Sequence, residues 1–298
     1  MKISILIAAR DARPFLPAAL ASVRAQTHAN RELILVEDGS RDGTEELLRR
    51  FAEDCPHTVL YSNLGESQGV AAVRNRLLDL ATGDAMAFLD ADDTWEPGHL
   101  ADAAAALADG AGVAVAGVRV FDLADGRTRG RVIPPPALLR RPALALFQQS
   151  VIVTSSSVVL RRALAERAGP FDRSFRIGED RDYWLRCALA GGRFARIAGL
   201  TCGYAKHPGS AMARTLLVAG EAIRFYEKYQ ALATIPPRLR RRRLAESLVA
   251  HGRLLRRSDA LRSAACFWRA WRCTPLDPVI PCHLALTGWR SVAAARPA

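Results

Sequence analysis

The chain has 298 residues, of which 50% are apolar and 24% are charged. This composition excludes a disordered or low-complexity chain, and the length suits one sizeable α/β domain with an appended segment. The six cysteines form no C-x-x-C pair, and the apolar start Ile3–Ala8 ends too early for a cleavable signal. No apolar run reaches 18 residues, so we expect a reduced, cytoplasmic protein without a membrane span.

The net charge of +12 is unevenly distributed along the chain. From Met212 to Ala298 there are 16 Lys and Arg against five Asp and Glu, a net charge of +11, and residues 1–211 carry only +1. We therefore predict two parts, a domain over residues 1–212 and a basic helical region over residues 213–298. The arginine run Arg240–Arg243 leaves three interpretations open: an anionic membrane face, nucleic acid, or a solvated helical face.

The first 122 residues alternate strand and helix patterns. Apolar runs predict strands over Ile3–Ala8, Glu32–Val36, Val59–Ser62, Ala85–Leu89 and Val113–Phe121. Helical spacing predicts helices over Pro14–Gln26, Gly43–Phe51, Val70–Ala81 and Pro97–Ala108. This alternation is typical of an α/β fold with a mostly parallel, Rossmann-like sheet and helices on both faces.

Beyond residue 122 the pattern is less regular. The segment Asp125–Pro142 is rich in Arg and Pro, and we expect an exposed loop that acts as a lid. A strand over Val158–Leu160, a short helix over Arg161–Ala168 and a helix beginning at Glu179 follow. The remaining residues are predicted to be helical.

An acidic cluster follows the apolar run Met86–Leu89. Asp90, Asp92 and Asp93 place three like charges at one strand end, which costs Coulomb energy unless a cation offsets it. Open α/β sheets bind ligands at the carboxyl ends of their strands. The cluster therefore predicts a divalent metal site with Asp92 as the main ligand. We expect Asp93 to cap the next helix or to remain a loop charge.

Several motifs in chain order resemble the family 2 glycosyltransferases of the GT-A fold, over roughly residues 2–212. The motifs are Ser4–Asp11, Ser22–Thr27, Glu32–Thr44, Gly69–Asn75, Asp90–Pro97, Gly178–Arg186 and Tyr204–Ser210. The chain departs from the family pattern where the usual Pro, Tyr and Asn are Ala8, Arg10 and Asp11, and where Glu37 replaces a common Asp. Motifs in a fixed order are more specific than any single one.

The resemblance implies a GT-A-like fold and a glycosyltransferase of the hexosyltransferase type in cell-surface polysaccharide biosynthesis. The donor would be a nucleotide sugar, preferably a UDP-sugar, and the acceptor a hydroxyl of a glycan or lipid-linked molecule. The implied cofactor is Mn²⁺ or Mg²⁺, with Asp92, Asp90 and His207 as metal site. The implied nucleotide-sugar site comprises Ala8, Arg10, Glu37, Asp38, Gly69, Arg74, Asp90 and Ala91. The implied catalytic residues are Asp180 and Glu179.

Each of these residues also has a simpler interpretation. Asp38 resembles the carboxylate that contacts uracil, or it is a turn residue. Arg74 pairs with phosphate or with a surface carboxylate, and His207 contacts the diphosphate or metal, or is an ordinary loop residue. Asp180 matches the general base, with Glu179 orienting it or the acceptor, or both only place negative charge at a helix N-terminus.

Two other classes of protein stay as alternatives. A sugar nucleotidylyltransferase needs a glycine-rich phosphate loop near the first strand, where this chain has Ala8–Arg13 and no glycine. A nucleic-acid-binding protein would use the basic tail, but no helix-turn-helix, zinc or RNA-binding signature occurs. A one-step displacement needs one acceptor-side carboxylate, and no motif match supplies the nucleophile that double displacement would need, so we predict a single-displacement, inverting enzyme. We expect it in the cytoplasm, peripheral on the inner face of the cell membrane.

Overall fold

The computed structural model describes residues 1–63, 66–207, 215–278 and 280–283. The chain divides into two compact units, Met1–Pro208 (unit 1) and Gly209–Ala298 (unit 2). The predicted domain boundary at residue 212 and the end of the last motif, residues 208–210, lie outside the described residues.

Unit 1 alternates strands and helices. Its strands are β1 Ile3–Ala9, β2 Arg31–Glu37, β3 Thr58–Ser62, β4 Ala85–Asp90, β5 Thr94–Trp95, β6 Val113–Val115, β7 Val118–Asp122, β8 Thr128–Val132, β9 Val158–Arg161, β10 Phe194–Arg196 and β11 Cys202–Lys206. Its helices are α1 Leu16–Arg24, α2 Thr44–Asp54, α3 Val70–Leu80, α4 His99–Ala108, α5 Pro136–Arg140, α6 Pro142–Gln148, α7 Arg162–Ala168 and α8 Glu179–Leu189. A 3₁₀ turn over Ser155–Ser157 precedes β9.

The strands form two sheets. The seven-stranded sheet has the order β3-β2-β1-β4-β9-β6-β10, and only β9 runs antiparallel to its neighbours. The prediction of a mostly parallel sheet is therefore confirmed. The four-stranded sheet has the order β5-β11-β7-β8.

Helices cover both faces of the seven-stranded sheet. Ile5 on β1 is fully buried in one core cluster with Leu16 of α1 and Leu100 of α4. Phe88 on β4 points to the other face and packs edge-to-face on Trp184 of α8, with ring centroids 5.6 Å apart. Burial on both faces explains why β1, β2 and β4 are continuous apolar runs.

A buried polar network fastens the amino ends of the central strands. Glu32 on β2 accepts hydrogen bonds from Ser4 Oγ on β1 at 2.5 Å and from the Thr82 amide and hydroxyl at 2.7 Å each. Its carboxylate also pairs with Lys2 Nζ at 2.5 Å. Burial opposes ionisation of Glu32, but these donors outweigh it and lower its pKa from 4.5 to about 2. The network joins β1, β2 and the turn before β4.

The prediction of one strand over Val113–Phe121 is wrong. The structure has β6 in the seven-stranded sheet and β7 in the four-stranded sheet, with a break at Ala116 and Gly117. A Cβ at Gly117 would lie 2.5 Å from the Gly199 carbonyl oxygen. The crossing between sheets therefore requires glycine, and this close approach is invisible in the local apolar pattern.

The prediction of a lid loop over Asp125–Pro142 is also wrong. Within this segment β8 pairs antiparallel with β7, and α5 begins at Pro136, a residue whose fixed φ suits the first turn of a helix. The Arg-rich composition reflects an exposed edge strand, a common position for charged side chains.

Unit 2 is helical over its described residues. It contains α9 Thr215–Lys228, α10 Pro237–Leu255 and α11 Ala260–Cys273. Phe267 on α11 is fully buried, and a Cβ at Gly252 on α10 would lie 3.0 Å from its ring, so the two helices approach closely. The prediction of a helical C-terminal region is confirmed there. Among the described helices, none has the length and apolar character to cross a bilayer.

Candidate active site

The parallel register gathers the predicted residues at one edge of the sheet. Ala8 at the end of β1 lies opposite Asp90 at the end of β4, and Ala9 lies opposite Glu37 at the end of β2. Asp38 follows Glu37 directly. The carboxyl ends of three parallel strands therefore lie together at one edge, where open α/β sheets bind ligands.

Asp92 and His207 meet across this edge. Nε2 of His207 lies 3.0 Å from Oδ2 of Asp92, and Phe15 packs on the imidazole ring at 4.5 Å between centroids. Burial and the charge of Asp90 raise the pKa of Asp92, and His207 opposes this shift. A cation would relieve the same repulsion, and carboxylate oxygens with an imidazole nitrogen form a donor set that suits Mn²⁺.

The described residues supply only part of a coordination shell. Within the described residues, no group of three or more His, Cys, Asp or Glu side chains is arranged to hold an ion. An ion bound at Asp92 and His207 would need further ligands from substrate and water. Sites that bind Mg²⁺ with a phosphate substrate are of this kind.

Asp93 is not a helix cap or a loop charge, and that prediction is wrong. Its side chain is fully buried, and its Oδ2 accepts hydrogen bonds from Thr154 Oγ1 at 2.7 Å and Ser156 Oγ at 2.6 Å. Its Oδ1 accepts from the Ala205 amide at 3.0 Å. Burial, together with the charges of Asp90 and Asp92, raises its pKa well above the ordinary value. We call Asp93, Thr154, Ser156 and the Ala205 amide the Asp93 cluster.

The Asp93 cluster fixes the residues around the candidate metal site. The Asp90 amide donates to Ser156 Oγ at 2.9 Å, and Thr154 Oγ1 lies 3.2 Å from Asp90 Oδ2. Ala205 stands two residues before His207, so its bond to Asp93 positions the chain from which the imidazole extends. The cluster therefore holds three separate segments in one arrangement.

Arg74 joins the acidic edge to α8. Its Nη2 lies 3.0 Å from Asp90 Oδ1, and its Nη1 pairs closely with Glu179 Oε1. Arg74 and Glu179 are both buried, so Glu179 is not a surface carboxylate, whereas the Asp90 side chain is 34% exposed. The phosphate role of Arg74 stays a prediction. One guanidinium thus bridges two carboxylates that the sequence places in different motifs.

Asp180 lies in the first turn of α8, beside Glu179. Gly178 begins the helix with φ of +84°, a conformation that favours glycine. Burial raises the pKa of Asp180, Arg74 opposes the shift, and Asp90 adds to it. Burial likewise raises the pKa of Glu179 against the pull of Arg74. A carboxylate with a raised pKa binds a proton more readily, as a general base requires.

Asp38 organises the loop that leads into α3. Its carboxylate accepts hydrogen bonds from Asn63 Nδ2 at 3.1 Å, from Ser67 Oγ, and from the Gln68 and Gly69 amides at 3.0 and 3.3 Å. Burial acts to raise its pKa, but these donors lower it. Protein groups therefore fill the four acceptor positions of Asp38. Its contact with a base stays a prediction.

The other predicted nucleotide-sugar residues surround this loop. Glu37 is buried and accepts from the Ser40 amide and from Ser62 Oγ at 3.1 Å, which fixes the turn after β2. Arg10 is exposed, with its Nε 3.7 Å from Asp11. Ala91, which stands between Asp90 and Asp92 in the sequence, is buried. Their contacts with a donor stay predictions.

Sequence reasoning missed Thr154 and Ser156. They belong to a run of four hydroxyl residues, Thr154–Ser157, of which every side chain is buried. A run of small hydroxyl residues directly before an apolar strand was the available signal, because most buried hydroxyl groups are hydrogen-bonded.

The mostly parallel sheet with an acidic edge is an architecture typical of α/β enzymes. The family model of glycosyl transferase family 2 matches residues 4–169, which is more than half of the chain. The chain therefore belongs to glycosyl transferase family 2. This membership disfavours both alternatives, the sugar nucleotidylyltransferase and the nucleic-acid-binding protein.

Relatives by sequence include proteins named for surface polysaccharides. The chain is 28% identical over 217 residues to the succinoglycan biosynthesis protein ExoU of Rhizobium meliloti, covering 68% of this chain and 61% of that protein. It is 30% identical over 186 residues to a PGL/p-HBAD biosynthesis glycosyltransferase of Mycobacterium bovis, covering 62% and 68%. The chain is also 35% identical over 98 residues to the putative teichuronic acid biosynthesis glycosyltransferase TuaG of Bacillus subtilis. That match covers 38% of the length of TuaG.

Solved structures share the fold. TarS of S. aureus in complex with UDP superposes with a TM-score of 0.68 at 18% identity, covering 96% of this chain and 87% of that chain. The mannosyltransferase PcManGT of Pyrobaculum calidifontis in complex with GDP-Man and Mn²⁺ superposes with a TM-score of 0.61 at 20% identity, covering 99% and 88%. The prediction of a GT-A-like fold is confirmed.

Proposed function

We propose that unit 1 is a metal-dependent, inverting glycosyltransferase that moves a sugar from a nucleotide sugar to a hydroxyl group. The observation that carries the proposal is a chain of contacts. His207 meets Asp92, and Asp90 connects through Arg74 to Glu179, beside Asp180. A donor-side acidic cluster and an acceptor-side carboxylate pair are therefore held in one fixed arrangement.

On the donor side, Asp92 and His207 would hold the divalent ion, with Asp90 beside them. The ion, Mn²⁺ or Mg²⁺, supplies positive charge that stabilises the diphosphate leaving group. The Asp93 cluster keeps Asp90 and the His207 segment in place, so the ligands need little rearrangement when a donor binds. Such pre-organisation lowers the cost of binding.

On the acceptor side, Asp180 is the proposed general base. The attacking hydroxyl must lose a proton as it displaces the diphosphate, and the raised pKa of Asp180 favours proton uptake. Glu179 pairs with Arg74 and so orients the helix start that carries Asp180. A one-step displacement with a base inverts the anomeric configuration, whereas retention by double displacement would require an enzymic nucleophile.

A UDP-sugar is the preferred donor, and a glycan or lipid-linked molecule the preferred acceptor. The match to TarS with bound UDP supports uracil as the nucleobase of the donor. Relatives named for succinoglycan or teichuronic acid biosynthesis support a glycan or lipid-linked acceptor. Such acceptors are assembled at membranes, so we place the protein in the cytoplasm, peripheral on an anionic membrane face.

A thermal-shift panel of UDP, GDP and dTDP, each with and without Mn²⁺, tests donor and metal together. A ligand at 100 times its Kd adds about 2.7 kcal/mol to stability, which raises the melting temperature of a unit the size of unit 1 by about 5–10 °C. We expect the largest shift with UDP plus Mn²⁺. Asp92→Ala should lose the Mn²⁺-dependent part, and Asp102→Ala, an exposed carboxylate on α4, should keep it.

The outcomes separate the parts of the proposal. Equal shifts with and without Mn²⁺ in the wild-type protein would contradict metal dependence. A larger shift with GDP than with UDP would identify guanine as the nucleobase of the donor. Proton NMR of the product of a successful transfer reports the anomeric configuration, and retention would remove the inverting mechanism.

A further inference from the structure

An apolar stripe faces outward on α11. Leu261, Ala265 and Trp268 follow one another at intervals of four and three residues, which places them on one line along the helix. All three are exposed, Leu261 by 83% and Trp268 by 52%. Arg272 continues the same line one turn further and is also exposed. We call these four residues the α11 stripe.

The stripe is separate from the face that packs inside unit 2. On the packed side, Ser263, Cys266, Phe267 and Ala270 are buried, and Ser263 Oγ donates to the Gly252 carbonyl of α10 at 2.7 Å. The helix therefore already has its core contact. A second, outward apolar line is unnecessary for folding, and the adjacent Trp271, 5.1 Å from Trp268 between ring centroids, enlarges it.

Basic groups border the α11 stripe. The described part of unit 2 carries 13 Lys and Arg against five Asp and Glu. Arg262 and Arg269 pair with Asp259 and Glu227. By contrast, Arg257 at the start of the α10–α11 turn and Arg272 form no ion pair within the described residues. Two exposed guanidinium groups are therefore available near the ends of the stripe.

We propose that the α11 stripe docks on an anionic phospholipid surface. Trp268 and Leu261 enter the boundary between headgroups and acyl chains, and Arg257 and Arg272 bind lipid phosphates. A helix with tryptophan and leucine on one line and arginines beside it has the composition of interfacial helices. A second copy of this face would bring like charges together, which disfavours self-association.

The inference rests on the proposed function only for the role of docking, which is to keep the enzyme near a lipid-linked acceptor. Binding to lipid is measured without donor, metal or acceptor. Failure of the transfer reaction would therefore leave the docking result standing, and failure of docking would leave transfer to a soluble acceptor standing.

Sedimentation of the full-length chain with vesicles tests the proposal. One set is phosphatidylcholine alone, and the other contains phosphatidylglycerol at one third, each at 0.1 and 0.5 M NaCl. We expect binding to the anionic vesicles at low salt that weakens at high salt. Trp268→Ser should weaken it by about tenfold, because less apolar surface is buried. Leu216→Ser, an exposed leucine of α9, is the matched control and should bind as wild type does.

Arg272→Gln should weaken binding to anionic vesicles by about fivefold and reduce its salt dependence. Arg131→Gln, an equal loss of charge on β8, serves as its control. Equal sedimentation with both lipid sets, or wild-type binding by Trp268→Ser and Arg272→Gln, would overturn the proposal. A Trp268→Ser variant that changes the molar mass in solution would instead identify a second copy as the occupant, and would also overturn it.

Discussion

Replacing Thr154 with valine tests whether the Asp93 cluster stabilises unit 1 and supports donor binding. Valine keeps the shape of the side chain but removes Oγ1, which lies 2.7 Å from Asp93 Oδ2 and 3.2 Å from Asp90 Oδ2. Thr154 is 4% exposed, so water cannot readily replace the lost hydroxyl. Asp93 would keep two of its three donors, Ser156 Oγ and the Ala205 amide.

The expected cost is about 2 kcal/mol, because removing one partner of a buried polar group costs about 1–3 kcal/mol. The chain has two compact units, so a probe confined to unit 1 is needed. Amide hydrogen exchange of peptides from β4 and β9 supplies it. A loss of 2 kcal/mol corresponds to about 30-fold faster exchange of amides that open only by global unfolding of the unit.

Thr154→Ser is the matched control, because serine keeps the hydroxyl and loses only a methyl group. We expect its exchange to stay within a few-fold of wild type and its KM for donor to be unchanged. Thr154→Val should also raise the KM for donor, because Asp90 and the His207 segment lose a common support. Equal exchange rates in the valine and serine variants would refute the reasoning, since the hydroxyl would then contribute nothing.

Three further predictions concern single carboxylates. Asp180→Asn should keep donor binding in a thermal-shift assay while turnover falls about 10²- to 10⁴-fold, and near-normal turnover would remove Asp180 as base. Asp92→Ala should abolish divalent-dependent transfer with an unchanged circular dichroism spectrum, and retained metal-dependent turnover would contradict its assignment. Glu32 has a folded pKa of about 2, below its ordinary 4.5, so its stabilisation is present above pH 4.5 and is lost as pH falls toward 2. Glu32→Gln should therefore cost about 3 kcal/mol at pH 7 and less than half of that at pH 3 in urea unfolding, and a pH-independent cost would contradict this.

The central strands were predictable because their burial is expressed locally. The apolar runs at Ile3–Ala8, Glu32–Val36 and Ala85–Leu89 match β1, β2 and β4 to within one residue at each end. The division of Val113–Phe121 into two strands was not predictable. Its cause is the close approach of Gly117 to Gly199, which is far along the chain and leaves no mark on the local apolar pattern. Apolar periodicity reports burial, and it does not report which sheet buries the residue.

Asp93 shows the same limit for a site residue. From the sequence alone, Asp93 is expected to be exposed to solvent, because burial of a charge is costly. Its hydroxyl donors are 61 and 63 residues away along the chain, and its amide donor is 112 residues away. Only the tertiary structure shows that three donors offset part of that cost.

Arg74 shows what the structure adds to the proposed chemistry. The sequence left phosphate and a surface carboxylate as alternatives, but the partners are Asp90 and the buried Glu179, which is 105 residues away. Burial and the charges of Asp90 and Asp180 raise the pKa of Glu179, burial and the charge of Asp90 raise that of Asp180, and Arg74 opposes both shifts. One arginine therefore favours the ionised form of carboxylates that belong to two different motifs. The proposed base and the proposed metal ligands both act through ionised carboxylates.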